Sequence, residues 1–160
     1  MKKKKNIIVC QNRKINHNFF VEKTFESGLL LQGWEIKSVR AKKVSIHNSY
    51  ISFIQGEAYL FGANFQPVHT IFLHKEKFLS NRNRKLLLHK KELNYLNGKI
   101  HQLGYTVLAL SILFRGAWCK LVIGVAKGKK NIDKRKYEKE KEWKLTQSKL
   151  MKNKNKYNIK

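Results

Sequence analysis

Runs of apolar residues separated by polar turns divide the first part of the chain into strand-like segments. The stretch "NIIVCQ" (6–11) predicts a short strand, and "FVEKTFESGLLLQG" (20–33) predicts a longer one. A glycine within a strand usually marks a bulge or the close approach of another backbone. We therefore expect one of these two features at Gly28.

Two pairs of apolar runs predict β-hairpins. In "SYISFIQGEAYLFGANF" (49–65), Gln55-Gly56 separates two β-rich runs, and the glycine supplies the positive φ that a tight turn needs. Further along, "YTVLALSILF" (105–114) and "WCKLVIGVA" (118–126) flank a short Arg-Gly-Ala link. The first strand of this second hairpin is apolar on both faces, so we expect it to be buried.

Two other segments show helical spacing. "GWEIKSVRAKK" (33–43) spaces Ile36 and Val39 three apart and predicts a short helix with one basic face. "HKKELNYLNGKIHQLG" (89–104) predicts an amphipathic helix that ends at Gly104. The apolar stripe of this second helix consists of Leu93, Leu96, Ile100 and Leu103.

Together these segments predict a mainly β fold: a small antiparallel β-barrel, closed or nearly closed so that strand edges are protected, with about three short helices. The five-stranded oligonucleotide-binding type is one candidate. The segment after Pro67 has no clean period and predicts a long loop, a common place for a binding element. We assign this fold to residues 1–126 and a basic tail to residues 127–160.

The charge of the chain points to a polyanionic partner. There are 35 Lys and Arg against 10 Asp and Glu, a net charge of +25, and nucleic acid is the obvious partner for such a protein. A general bias toward Lys and Asn would explain part of the excess, but not its distribution. Residues 127–160 hold fourteen basic and four acidic residues, so the tail is more than twice as charge-dense as the body.

The sequence offers little for catalysis, metal binding or membrane insertion. Asp133 is the only Asp, the other acids form no obvious cation-binding cluster, and the six His lack ligand spacing. A phosphate-binding glycine loop is missing, and Cys10 and Cys119 form no CxxC motif or Cys/His cluster, so we expect reduced structural thiols. No apolar run approaches the roughly 18 residues of a membrane span. We expect a cytoplasmic protein without cofactor or metal.

Four ordered blocks of sequence are more specific. They are "NRKINHNFFVEKTFESGLLLQGWEIKSVR" (12–40), "SYISF", "RKLLLH" and "GVAKGKKNIDKR" (124–135), and they resemble the SsrA-binding protein (SmpB) family across nearly the whole chain. The resemblance implies an oligonucleotide-binding-type barrel and a C-terminal tail that is disordered in the free protein. It also implies binding to the transfer-like domain of transfer-messenger RNA (tmRNA) and delivery of that RNA to stalled ribosomes for trans-translation.

The same resemblance associates Asn12, Glu26, Leu87 and His89 with RNA binding. The Glu26 carboxylate either orients a neighbouring Arg or accepts a ribose hydroxyl, or it makes only a structural hydrogen bond. Leu87 either stacks against an RNA loop or fills the core, and His89 either hydrogen-bonds RNA or simply begins a helix. Duplex RNA is recognised mainly by shape and backbone contacts, for which the chain offers Lys37, Arg40, Lys42, Lys43, Lys85 and Lys91.

In the family the tail enters the vacant message channel of the ribosome, lined by small-subunit rRNA, and folds there as a helix. Motif matches place two groups of residues near the decoding centre. The first is Gly128, Lys129 and Lys130, and the second is Asp133, Lys134 and Arg135. The match also gives a distal apolar pair, Leu150 and Met151. Asp133 is a candidate N-cap. The tail has too little apolar surface to hold a helix against the body, so we expect disorder until it binds.

Two positions depart from the family pattern. Ile132 stands where many relatives carry an aromatic residue or His, and "LSN" (79–81) replaces an Asp-Pro pair.

Two rival interpretations of the function are a structural ribosomal-type protein whose tail threads permanently into rRNA, and an RNA-processing enzyme. The adaptor implied by the family would be a monomer and would reach elongation factor Tu only through the RNA.

Overall fold

The computed structural model describes residues 6–68 and 79–157, with side chains described as far as residue 151. It divides into two compact units, residues 1–128 and 129–160, and each is described by itself. Most of the loop predicted after Pro67 lies outside the described residues.

The described part of the first unit contains nine strands and three helices. In chain order they are β1 (Asn6–Gln11), α1 (Ile15–Asn18), β2 (Phe19–Leu29), α2 (Gly33–Arg40), β3 (Val44–Ser45), β4 (Tyr50–Ile54), β5 (Glu57–Phe61), β6 (Asn64–Phe65), β7 (Arg84–Leu87), α3 (Lys90–Ile100), β8 (Tyr105–Arg115) and β9 (Trp118–Gly128). The second unit contains the long helix α4 (Asn131–Tyr157).

Six of these strands close into a ring. Hydrogen-bonded neighbours follow the order β1-β8-β4-β5-β7-β2-β9, and β9 pairs back onto β8. The ring therefore runs β8-β4-β5-β7-β2-β9, with every pair antiparallel, while β1 pairs with the far end of β8. The predicted closed antiparallel fold is confirmed, although the ring has six strands in the described residues where the sequence suggested five.

The apolar interior of the ring explains why these strands form. Removing apolar side chains from water is the main favourable term in folding. The fully buried residues include Leu60, Leu96, Val107, Ile112, Leu121, Ile123 and Val125. Val107 and Ile112 belong to β8, so the prediction of a buried first strand in the second hairpin is confirmed, and Leu96 joins α3 to the same core.

Both predicted hairpins are present, and their turns differ. β4 and β5 are joined by Gln55 and Gly56 with φ of 51° and 78°, the two positive angles of a type I′ turn. β8 and β9 are joined by Gly116, with φ of 64°, and Ala117. A positive angle at the first position alone is the pattern of a type II′ turn.

Gly28 lies at a close approach of two strands rather than at a bulge. A Cβ atom built on Gly28 would lie 3.1 Å from the Cβ atom of Leu87, because β2 pairs with β7 at this point. The irregularity in β2 occurs earlier, between Val21 and Lys23. Of the two features expected at this glycine, the close approach is confirmed.

Several element limits differ from the sequence prediction. The helix α3 ends at Ile100 rather than Gly104, and Leu103 is 98% exposed instead of lying in the apolar stripe. Gly104 has φ of 82° in the turn that leads into β8. β9 continues to Gly128, two residues into the segment assigned to the tail. The strand β7 is missing from the prediction because its polarity does not alternate: the charged Arg84 is buried and Leu87 is exposed.

A fully buried ion pair joins α2 to β7. Both Glu35 and Arg84 are buried, and Arg84 Nε donates to Glu35 Oε1 at 2.8 Å. Arg82, which is partly exposed, donates from its own Nε to the same oxygen at 2.8 Å. The other Arg84 donors bond to the carbonyl oxygens of Ala63, Arg82 and Ser80.

The pKa of Glu35 reflects opposing influences. Burial is the largest single one and would raise this pKa. Hydrogen bonds from Arg82 and from the backbone N–H of Gln32, together with the charges of Arg84 and Arg82, outweigh burial and lower the pKa below its ordinary value. The ion pair therefore stabilises the fold while Glu35 is ionised.

We expect Glu35→Gln to destabilise the full-length protein by about 3–5 kcal/mol, because Arg84 would keep a buried charge without its partner. Since the folded pKa of Glu35 is lowered, its contribution is present above the unfolded-state pKa of about 4.3 and is lost as the pH falls through the folded pKa. Urea unfolding between about pH 7 and pH 3 should therefore show a steeper loss of stability for the wild type than for the variant.

Glu57→Gln is the matched control, since it removes an ion pair at the surface. It should leave the unfolding midpoint nearly unchanged. Equal destabilisation by the two substitutions would contradict the dominant role of the buried pair.

Candidate nucleic-acid interface

A shallow depression of about 450 Å³ lies where β2, β7 and β9 meet the start of α3. It brings together four of the predicted RNA-binding residues from distant parts of the chain: Glu26, Lys85, Leu87 and His89. The remaining residues that line it are Gly28, Glu57, Ala58, Leu86, Leu88, Glu92, Leu93 and Lys120.

Glu26 holds two cations at one side of this depression. Its Oε2 atom accepts hydrogen bonds from Arg115 Nη1 at 3.1 Å and from Lys120 Nζ at 3.2 Å. All three side chains are partly exposed. Among the alternatives left open by the sequence, this geometry favours a carboxylate that orients neighbouring cations.

Arg115 and Lys120 are functional candidates that the sequence interpretation missed. The alternation of β9 places Lys120 on the outer face, and this signal was available from the sequence. The sequence did not reveal which strand lies beside β9. Its neighbour β2 is distant in the chain, and it places Gly28 directly beside Lys120.

Leu87 lies outside the core, since it is 53% exposed. Along β7 the buried residues are Arg84 and Leu86, so alternation turns Lys85 and Leu87 outward. Leu87 pairs with Gly28 of β2, which has no side chain to cover it. An exposed leucine at this place offers an apolar contact for a ligand.

Lys85 has a partner in the free protein. It forms an ion pair with Glu57, and Tyr59 donates a hydrogen bond to the other carboxylate oxygen at 3.0 Å. The hydrogen bond from Lys85, and after it that from Tyr59, lowers the pKa of Glu57. The same contact with Glu57 raises the pKa of Lys85, so the ion pair favours the charged form of the lysine.

His89 begins α3 and also lines the depression. Its backbone N–H donates to Glu92 Oε2 at 3.0 Å, and its carbonyl accepts from the N–H of Leu93 at 2.9 Å. These bonds satisfy backbone groups at the start of the helix. The helix-initiating role is present, and the exposed position leaves the imidazole accessible to a ligand.

The remaining predicted cations lie elsewhere on the first unit. Lys37 and Arg40 are exposed on α2, Lys43 follows it and is half-buried, and Lys91 is exposed in the first turn of α3. Lys42 lies between Arg40 and Lys43 and is exposed. The depression does not include any of these five residues.

Asn12 is buried and lies apart from the depression. Its Nδ2 donates to the carbonyl oxygens of Ile46 at 3.2 Å and His47 at 2.9 Å, which ties the end of β1 to the segment after β3. Its Oδ1 is buried without a hydrogen-bond partner in the described part of the chain. Asn12 also lines a second cavity of about 270 Å³, beside Lys14 and Tyr50.

The second unit is described by α4. Asp133 is the third residue of this helix, where its Oδ2 accepts from the N–H of Lys130 at 3.3 Å. The prediction that Asp133 is the N-cap is therefore wrong, because the helix begins at Asn131, three residues earlier than an N-cap at Asp133 would place it. Large apolar side chains are exposed along the helix, namely Ile132, Trp143, Leu145, Leu150 and Met151.

The described residues show no grouping suited to a metal. Three or more His, Cys, Asp or Glu side chains do not cluster anywhere in this part of the chain. Burial raises the pKa of both free thiols, that of Cys119 to about 11, which keeps them protonated and poorly nucleophilic. In the same described residues, no helix has the length and apolar character needed to cross a membrane.

Comparison with known proteins finds one matching protein family and a similar solved structure. The model of the SmpB protein family matches residues 9–153. A chain of the solved structure described as "tmRNA-SmpB: a journey to the center of the bacterial ribosome" is 38% identical in sequence, with a TM-score of 0.61. The match covers 76% of this chain and 85% of that chain. The similarity therefore extends to sequence and fold together.

We expect α4 to be only marginally stable in the free protein, as the sequence predicts, because its apolar side chains remain exposed and isolated helices are marginal in water. Hydrogen exchange of the full-length protein should label the amides of residues 131–151 within seconds. Peptides from β8 and β9 in the same digest serve as the slow internal standard. Slow exchange in α4, comparable to those strands, would contradict this expectation.

Proposed function

The chain belongs to the SmpB protein family, and from this premise we propose that it is the RNA-binding adaptor of trans-translation. It binds the transfer-like domain of tmRNA and delivers that RNA to ribosomes stalled without a stop codon. The solved relative is described together with tmRNA and the bacterial ribosome. The protein acts in the cytoplasm by binding and delivery rather than by catalysis, as a monomer, and reaches elongation factor Tu only through the RNA.

The observation that carries this proposal is the convergence of Glu26, Lys85, Leu87 and His89 in one depression. RNA helices are recognised through shape, phosphates and 2′-hydroxyls, and RNA loops through stacking and hydrogen bonds to unpaired bases. The depression combines cations for the first mode with an exposed leucine and an imidazole for the second. A surface that offers both suits a folded RNA with loops better than a plain duplex.

Each residue has a defined role in the proposal. Leu87 packs against an RNA loop and His89 hydrogen-bonds it. Lys85 exchanges its ion pair with Glu57 for a phosphate, at little cost because an exposed pair contributes little to stability. Asn12 acts indirectly, through the backbone segment that its amide group holds. Further phosphate contacts come from the cations outside the depression, which are Lys37, Arg40, Lys43 and Lys91.

The tail acts on the ribosome. Gly128 ends the last strand of the ring, and the residues that follow it enter the vacant message channel in this proposal. There the basic side chains meet small-subunit rRNA, and contacts with this rRNA stabilise α4. Lys129, Lys130, Asp133, Lys134 and Arg135 lie near the decoding centre, and Leu150 and Met151 form the distal apolar contact.

Leu87→Ala should weaken binding of the tmRNA transfer-like fragment by roughly three- to tenfold, because Leu87 is 53% exposed and burying this remaining area contributes about 0.8–1.5 kcal/mol. Leu103→Ala is the control, since Leu103 is also highly exposed but lies outside the depression. The affinities should be measured at about 0.15 M salt beside an elongator transfer RNA, because polycation binding alone is strongly salt-dependent. Equal binding of the two RNAs by the wild-type protein would refute the proposed specificity.

Ending the chain after Gly128 should leave the affinity for the transfer-like fragment largely intact and abolish tagging of nascent chains on stalled ribosomes. This cut preserves the pairing of Phe19 with Gly128 in the ring. A reconstituted tagging reaction with wild-type and shortened protein measures the effect. Retained tagging by the shortened protein would exclude the tail mechanism. In a separate test, wild-type protein that stays on ribosomes through a high-salt wash would indicate a structural ribosomal protein instead.

A further inference from the structure

An exposed tryptophan lies at the tip of the β8–β9 hairpin. Trp118 is the first residue of β9 and is 74% exposed. An indole buries a large apolar area when it is covered, and tryptophan is enriched at the centres of binding interfaces. Neither the core of the first unit nor the roles proposed above use this side chain.

The surroundings of Trp118 are cationic. Arg115 is its direct cross-strand partner, so both side chains lie on the same face of the hairpin. Lys120 is two residues further along β9 and shares that face. Glu26 accepts hydrogen bonds from both Arg115 and Lys120 through one carboxylate oxygen. This shared contact holds the two cations close to each other.

The position of Trp118 is also fixed by the backbone. Only Gly116 and Ala117 separate the two strands, and a two-residue turn leaves little freedom to the residues that flank it. A rigid aromatic side chain loses little conformational entropy on binding. The hairpin tip therefore presents a preformed flat apolar surface next to two oriented positive charges.

We propose that Trp118 stacks on an unpaired base of the tmRNA transfer-like domain, while Arg115 and Lys120 contact the phosphates that flank this base. Stacking on aromatic side chains is how proteins bind unpaired bases, and cations beside the ring bind the connecting backbone. Lys120 also lines the depression that holds Leu87 and His89, so the hairpin tip extends that surface. This inference rests on the proposed function.

Glu26 is the positioning residue of this arrangement. Replacing it by Gln increases the net positive charge, which by itself would strengthen binding to any RNA. If Glu26 orients Arg115 and Lys120, Glu26→Gln should instead weaken binding to the transfer-like fragment while binding to an unrelated duplex RNA stays equal or increases. Stronger binding to both RNAs would overturn the positioning role.

The stacking contact is tested by affinity and by its salt dependence. Trp118→Ala in the full-length protein should weaken binding about five- to 150-fold, the range for loss of one base stack, with an unchanged slope of log K against log salt. Trp118→Phe should retain most of the affinity. Arg115→Ala and Lys120→Ala should each reduce the slope by about 0.7 to 0.9, as expected for one lost phosphate contact.

Phe20→Ala is the matched control for loss of an exposed aromatic side chain. Phe20 is also largely exposed, but it pairs with Lys127 at the opposite end of β9. Its replacement should leave the affinity unchanged. Thermal unfolding of each variant verifies that the ring is intact.

Fluorescence provides a direct signal of stacking. The chain contains three tryptophans, of which Trp34 is buried and Trp143 lies in α4. In the variant Trp143→Phe, Trp118 is the exposed fluorophore, and stacking on a base should quench it and protect it from added iodide. The inference would be overturned if Trp118→Ala bound the RNA with wild-type affinity. It would also be overturned if the Trp143→Phe variant bound the RNA without quenching.

Failure of this inference is distinguishable from failure of the proposed function. If the wild-type protein prefers the transfer-like fragment and Trp118→Ala keeps that preference and affinity, only the stacking inference is wrong. If the wild-type protein shows no preference over elongator transfer RNA, the proposed function itself fails.

Discussion

The buried pair of Glu35 and Arg84 is the interaction on which the rest of the first unit depends. Two charges removed from water are tolerated only when their hydrogen-bonding capacity is met. Here Arg84 bonds to Glu35 and to three carbonyl oxygens, and its guanidinium lies 3.8 Å from the centre of the Phe65 ring. The pair thereby links α2, the residues before β7 and the start of β7 itself, which is the strand that completes the ring between β5 and β2.

The placement of β7 decides the candidate interface. A strand alternates its side chains between two faces, so a register shift of one residue would exchange them. With Arg84 anchored inward, Leu86 also points into the core, while Lys85 and Leu87 point out into the depression. A buried ion pair on the inner face of β7 thus fixes which leucine of this strand lies on the outer face. The same register brings Gly28 against Leu87, where a Cβ atom would lie 3.1 Å from the Cβ atom of Leu87 and the leucine side chain would have to shift slightly.

The acidic residues of the interface have a different purpose. In a chain with a net charge of +25, cations repel one another and long side chains sample many conformations. Glu26 and Glu57 each hold cations beside the depression. These ion pairs restrict the side chains of Arg115, Lys120 and Lys85 in the free protein, and all of them are partly exposed. In the proposed function, such restricted cations would lose less conformational entropy when they bind a phosphate.

Local features of this protein were determined by the sequence alone. The turn at Gln55-Gly56, the apolar β8–β9 hairpin, the helices α2 and α3, and the separation of a basic tail all follow from short-range patterns. The family motif also predicts Glu26, Leu87 and His89 as RNA-binding residues. This prediction needs no knowledge of the fold. Tertiary structure alone decided the six-stranded closure, the short strand β7, the buried pair of Glu35 and Arg84, and the position of Arg115 and Lys120 beside Glu26. These features join segments that are distant in the chain, and no local period specifies which strand becomes the neighbour of another.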